Sequence, residues 1–155
     1  MEDYIAVVKA WLEGITNIGQ VYDKEVSADQ LSTIMSSFGD AVGTEKRIAA
    51  WFIGMGPCSE KRHSNMATDA FDSLVVRGYY SGRDASGANV NQRQLVASIR
   101  SVARIAIAAD ATLGDVVTRA DYPTCKAQKF EALGPVVCHY VELTFPYRTQ
   151  YNNTV

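Results

Sequence analysis

The chain is poor in histidine and cysteine, two of the residue types on which many catalytic and metal sites are built. It carries two histidines and three cysteines in 155 residues. Cys58, Cys125 and Cys138 are odd in number and mostly far apart, so no disulfide framework follows and a reducing compartment is expected. No paired Cys and His at short spacing offers a zinc site. Long apolar runs are also missing, which excludes a membrane-spanning helix. Met1-Glu2-Asp3-Tyr4 lacks the basic region and cleavage site of a signal peptide. Neither sign of charge dominates: 15 basic against 17 acidic residues give a net −2. A general nucleic-acid coat would be basic overall, so that class is set aside.

Apolar material is plentiful, at 47% of residues, which is enough for one domain core. Ile5, Val8, Leu12 and Ile15, widened by Tyr4 and Trp11, mark an amphipathic helix that ends between Gly14 and Gly19. Gln20-Val21-Tyr22 reads as a short strand. Ser27-Ala28-Asp29-Gln30 matches a capping box, followed by a helix with Leu31, Ile34, Met35 and Phe38 on one face. Residues 48–53 form a compact apolar run with the character of a buried strand, broken or bulged at Gly54-Met55-Gly56-Pro57. A polar connection follows over residues 55–69, expected to be one long loop. Residues 70–80 return as a strand with Phe71, Ser73, Val75, Arg77 and Tyr79 on one face.

The clearest helix spans residues 91–109, with Leu95, Ile99, Val102 and Ala106 as its apolar stripe. Two further strands over residues 126–133 and 136–148 flank Gly134-Pro135. In the last, Val137, His139, Val141, Leu143 and Phe145 alternate with Cys138, Tyr140, Glu142 and Thr144. The order predicts a single α+β domain over residues 1–155. It has one mixed or antiparallel sheet of about four to five strands, helices packed on one side, and an extended tail over residues 149–155.

Catalytic templates find little support. Cys58 and His63 are five residues apart but carry no surrounding signature, so a surface thiol and imidazole are expected. His139 follows Cys138 directly, which sends their side chains to opposite faces of a strand. A hydrogen-bonded core histidine is expected there, not a metal ligand. Gly54-Met55-Gly56 lacks the third glycine of a dinucleotide fingerprint, and no Walker loop or Gly-x-Ser-x-Gly exists. No cofactor is implied.

Charge placement is more telling. Arg93, Arg100 and Arg104 fall at spacings of seven and four on the long helix, nearly opposite its expected apolar stripe, with no acid between them. Lys61-Arg62-His63 is a second basic cluster, inside the long connection. Residues 1–70 hold 6 basic and 10 acidic groups, net −4; residues 71–155 hold 9 and 7, net +2. Acidic and basic ends favour head-to-tail contact between copies, which closes into a ring when the rotation permits.

Several segments resemble a known family. Leu12-Glu13-Gly14-Ile15-Thr16-Asn17-Ile18-Gly19-Gln20-Val21-Tyr22-Asp23 is similar to the opening of tailed-bacteriophage neck proteins of the tail-terminator type. Arg77-Gly78-Tyr79-Tyr80, Ala109-Asp110-Ala111-Thr112-Leu113-Gly114 and Val137-Cys138-His139-Tyr140-Val141-Glu142-Leu143 are also similar to that group. The resemblance implies a non-enzymatic virion structural protein, made in the host cytoplasm and located in the neck or tail. It implies a homo-oligomeric ring, usually six-fold, that caps the tail tube and presents a face to the head-closure or connector protein. Genomic DNA would pass through the lumen without sequence-specific binding, and no membrane is involved. Lys61, Arg62, His63, Arg93, Arg100 and Arg104 are then the candidate subunit or partner contacts. A head-closure or other neck protein is the nearest alternative. A small enzyme using Cys58 or His63, or a ligand-binding module with a deep apolar pocket, are the alternatives from other classes.

Overall fold

The computed structural model describes residues 2–24, 39–42, 45–62, 64–81, 85–133 and 136–152. The expected helix with Leu31, Ile34, Met35 and Phe38, and its capping box, lie outside these residues. In chain order the elements are α1 (Glu2–Glu13), β1 (Gln20–Tyr22), β2 (Gly39–Val42), β3 (Glu45–Met55), β4 (Ser59–Arg62), β5 (Ala67–Tyr80), α2 (Ala85–Ala109), β6 (Arg119–Ala120), β7 (Thr124–Leu133) and β8 (Val136–Asn152).

All eight strands join one sheet, ordered β1-β3-β5-β8-β6, with β2 on β3, β4 on β5 and β7 on β8. The β1–β3 pair is parallel and the other pairs are antiparallel, so the sheet is mixed. The class is the expected α+β, but the strand count exceeds four to five. The three additional strands are short and carry almost no pattern. All four side chains of β4 are exposed, and a strand wet on both faces shows no apolar alternation. The two residues of β6 are too few to register one.

Both described helices pack on one face. Tyr4, Val8 and Leu12 of α1 meet Leu95, Val96, Ile99, Ala103 and Ile107 of α2 over Trp51, Ile53, Leu74, Val76, Tyr80, Val141, Leu143 and Phe145 of the sheet. The core face of β5 is therefore the Leu74, Val76 and Tyr80 set, and Phe71 on the other face is exposed. The stripe of α2 also differs from expectation, since Val102 and Ala106 are only partly buried. The helix seats on its 95-99-103-107 row, which puts Ile107 instead of Ala106 into the core.

Trp51 organises the centre of this layer. It is fully buried, stands opposite Gly78 in the β3–β5 register, and donates its indole N–H to the Ile18 carbonyl at 2.9 Å. A Cβ on Gly78 would run into the six-membered ring of Trp51, so only glycine leaves room for the indole. Gly19 is fixed by a different demand: its φ is +89°, and any Cβ would meet the Ala49 backbone.

The other sheet face carries a row of rings across four strands. Tyr22 of β1 stacks on Phe52 of β3 at 5.0 Å, Phe52 meets Tyr79 of β5 edge-on at 6.0 Å, and Tyr79 meets Tyr140 of β8 at 5.2 Å. Ala50 and Cys138 complete this second cluster. Strand β8 is thus buried on both faces over residues 138–141, as suits a strand with β5 on one side and β7 on the other.

Candidate interaction surfaces

Residues 55–69 are not one long loop. Strand β3 ends with Met55 opposite Leu74, and β4 begins with Ser59 opposite Phe71. Four steps on one side against three on the other define a one-residue bulge. Gly56 donates its N–H to the Ser73 carbonyl at 2.9 Å, and the Ser73 hydroxyl donates to the Pro57 carbonyl at 3.0 Å. The kink thereby keeps β4 on the same partner strand. The expected tail at residues 149–155 is likewise strand as far as Asn152, paired with β5 down to Ala67.

These changes build a three-stranded extension from β4, the first part of β5 and the end of β8. It runs beyond the last β3 and β7 pairs, with residues 67–71 of β5 against residues 148–152 of β8. Five residues at ~3.3 Å each reach roughly 16 Å. Lys61 lies opposite Asp69 and Arg62 opposite Thr68, both with exposed side chains. The Arg62 guanidinium donates to the Asn65 side-chain oxygen at 2.8 Å, and Ser64 N–H donates to the Ala67 carbonyl at 3.1 Å. His63 lies outside the described residues. The extension carries exposed apolar side chains at Met66 (64%), Phe71 and Tyr151. Its outer β4 edge pairs with no other described strand. Open edges and exposed apolar groups are the features by which sheets recruit other chains.

The second surface is α2. Arg93, Arg100 and Arg104 share one side of it, but not the side opposite the core. Taking the buried 92-96-99-103 face as reference, they stand roughly 70–110° away, on its flank. This corrects the expected placement and explains why Arg100 is only partly exposed, with a buried Nε that has no hydrogen-bond partner among the described residues. None of the three forms an ion pair with a described residue. Facing solvent are Val90, Gln94, Ala97, Ser101, Ile105 and Ala108, with Ile105 68% exposed. The basic groups of β4 and α2 belong to separate elements, and no hydrogen bond or ion pair joins them among the described residues.

Residues considered for chemistry are dispersed. Cys58 is an exposed free thiol, Cys125 is partly buried, and Cys138 is buried beneath the aromatic row. His139 is buried on the opposite face from Cys138, with its ring 4.5 Å from that of Phe130. Its carbonyl accepts from the buried Gln92 side chain at 2.9 Å. Among the described residues, no group of three His, Cys, Asp or Glu side chains is placed to hold a metal. A polar cavity of about 170 Å³ opens between Thr16, Asn17, Tyr80, Asn91, Gln94, Leu95 and Ser98. It contains no charged group.

Shifted ionisation follows packing. Burial, then the Tyr147 and Asp121 charges, push the Tyr4 phenol far above its ordinary value of 10.0. Burial does the same to Tyr147, followed by Asp72. Tyr140 is also raised, first by burial and then by Glu142, whose carboxylate accepts its hydroxyl at 3.2 Å. Asp110 is lowered by the Thr112 hydroxyl and by N–H groups of Gly114 and Thr112. Those bonds, at 2.7, 2.8 and 2.9 Å, close a turn in which Leu113, Gly114 and Asp115 all have positive φ. Asp110 thus anchors the exit from α2.

The exposed apolar groups were the features sequence reasoning missed. Met66 sits in a polar stretch, where a single apolar residue carries no periodic signal, and the alternation that placed Phe71 in a strand did not show that this end of its face is wet. Ile105 was legible on a helical wheel, because it falls off the core stripe. No helix among the described residues is long and apolar enough to cross a membrane. No protein-family model matches the chain, and no curated protein matches it significantly.

Proposed function

We propose that this chain is a non-enzymatic virion structural protein, a ring-forming tail terminator that caps the tail tube and joins it to the head–neck connector. The observation that carries the reading is the three-stranded extension, with its open β4 edge and exposed Met66, Phe71 and Tyr151. A monomer gains nothing from displaying such groups in water. In a ring they are buried between copies or against the tube, at ~25 cal/mol per Å² of apolar area.

The mechanism is geometric. Copies pair side by side, so the rotation between neighbours fixes the ring number. One ring face matches the tube and stops its growth, and the other meets the connector. Apolar groups supply the affinity, and the basic residues Lys61, Arg62, Arg93, Arg100 and Arg104 set register. A net charge of −2 suits a channel for DNA, because strong phosphate binding would impede passage.

Electron microscopy of the purified protein, with light scattering for its mass, tests this reading. Rings with a central hole, lost in the Met66→Glu/Phe71→Glu variant, are the expected result. A monomer at high protein concentration and low salt overturns it.

A further inference from the structure

We infer that the outer face of α2 docks on the acid-rich half of a second copy of this chain, with Ile105 as the apolar anchor and the three arginines as its charged rim. The inference rests on the ring reading and assigns the surface that holds neighbours together. Helix α2 is 25 residues long, contains Arg93, Arg100 and Arg104, and has no acidic residue anywhere along it. None of these cations is neutralised by a described residue, and the partly buried Arg100 has an Nε shielded from water with no hydrogen-bond partner among the described residues. An N–H left so is costly until an acceptor arrives.

The face between and beside the arginines is uncharged. Val90 is nearly half exposed and Ile105 more than half, with Ala97, Ser101 and Ala108 on the same side. Small side chains there allow close approach, and Ile105 projects from them. This mixture favours a protein surface over a polyanion. Phosphates would satisfy the arginines but leave Ile105 against a hydrated backbone.

Charge decides how the copies meet. Two α2 helices facing each other across a two-fold axis would set three arginines against three arginines, which opposes a symmetric dimer. Head-to-tail contact avoids this. Residues 1–70 carry net −4 and residues 71–155 net +2, and Glu13, Asp23 and Glu60 are exposed acids of the first half, so the cationic helix of one copy has acidic groups to meet on the next. A contact between unlike surfaces is the kind that propagates around a ring.

Sedimentation velocity on the full chain tests the assignment, at ionic strengths of about 0.05 and 0.5 M, which span long and short screening lengths. The wild-type protein is expected to assemble at low salt and to weaken as salt rises. Arg104→Glu/Ile105→Asp changes only exposed positions, and it should raise the dissociation constant by about thirtyfold or more, from lost apolar burial and reversed charge. Arg93→Glu/Arg100→Glu/Arg104→Glu should abolish assembly while far-UV circular dichroism stays unchanged. If Arg104→Glu/Ile105→Asp is folded and forms rings as the wild type does, the inference falls and the ring reading stands. If the wild type stays monomeric under all these conditions, both fall.

Discussion

Replacing Gly78 by alanine tests how the centre of the sheet is held. The added methyl has one place to go, into the six-membered ring of Trp51. That ring cannot swing aside freely, because its N–H is bonded to the Ile18 carbonyl at 2.9 Å and the side chain is fully buried. Overpacking of this kind costs about 1–3 kcal/mol, and a displaced indole forfeits roughly 1 kcal/mol more for its hydrogen bond. Gly78→Ala should therefore lose about 2–4 kcal/mol, or on the order of 5–15 °C in melting temperature for a chain of this size. Trp51→Phe removes the same bond and part of the ring, and should cost about 2–3 kcal/mol on its own. The two changes share one volume, so the double variant should cost at least ~1 kcal/mol less than the sum. Urea denaturation followed by far-UV circular dichroism measures all three. A Gly78→Ala loss under ~0.5 kcal/mol, or costs that add within ~0.5 kcal/mol, would refute the packing argument.

Gly19→Ala should destabilise by about 2–4 kcal/mol in the same assay, because a positive φ and the nearby Ala49 backbone both oppose a side chain. Tyr4→Phe should be neutral or gain up to about 1 kcal/mol at pH 7, since the buried Tyr4 hydroxyl has no hydrogen-bond partner among the described residues; a loss above ~1.5 kcal/mol would contradict this. Tyr4 and Tyr147 are raised, so their contribution to stability is complete below pH 10.0 and is lost as pH rises from there towards their folded values. Alkaline melting should therefore shift less in Tyr4→Phe/Tyr147→Phe than in wild type. Asp110 is lowered, so it supports the turn above pH 3.8 and releases it as pH falls through its folded value. The Gly114 and Thr112 amide resonances should move together in that acid range, and Asp110→Asn should remove the transition.

The sequence made the long elements legible where one face is dry and the other wet. Tyr4, Val8 and Leu12 are fully buried, as their spacing required, and β3, β5, β7 and β8 each include the expected residues. It failed where the pattern is silent. Ser59-Glu60-Lys61-Arg62 reads as a polar loop, yet it is a strand because the backbone of β5 offers it partners. Local sequence cannot report a hydrogen-bond partner that lies across the sheet. The arginines of α2 were visible as a stripe, but their angle to the core depended on which apolar row the sheet selected.

By itself, the sequence determined the class of the protein: one apolar-rich chain, α+β, with charge divided between its halves. Those properties follow from composition and from periods of 2 and 3.6 residues, which are local. Tertiary structure alone decided the surfaces. It joined β4, β5 and β8 into an extension, left Met66 and Phe71 in water, and turned Arg100 towards partial burial with no anion paired to it among the described residues. Exposure is a property of what packs nearby, and packing here is set by strand pairings up to 85 residues apart in the chain, as between Ala67 and Asn152.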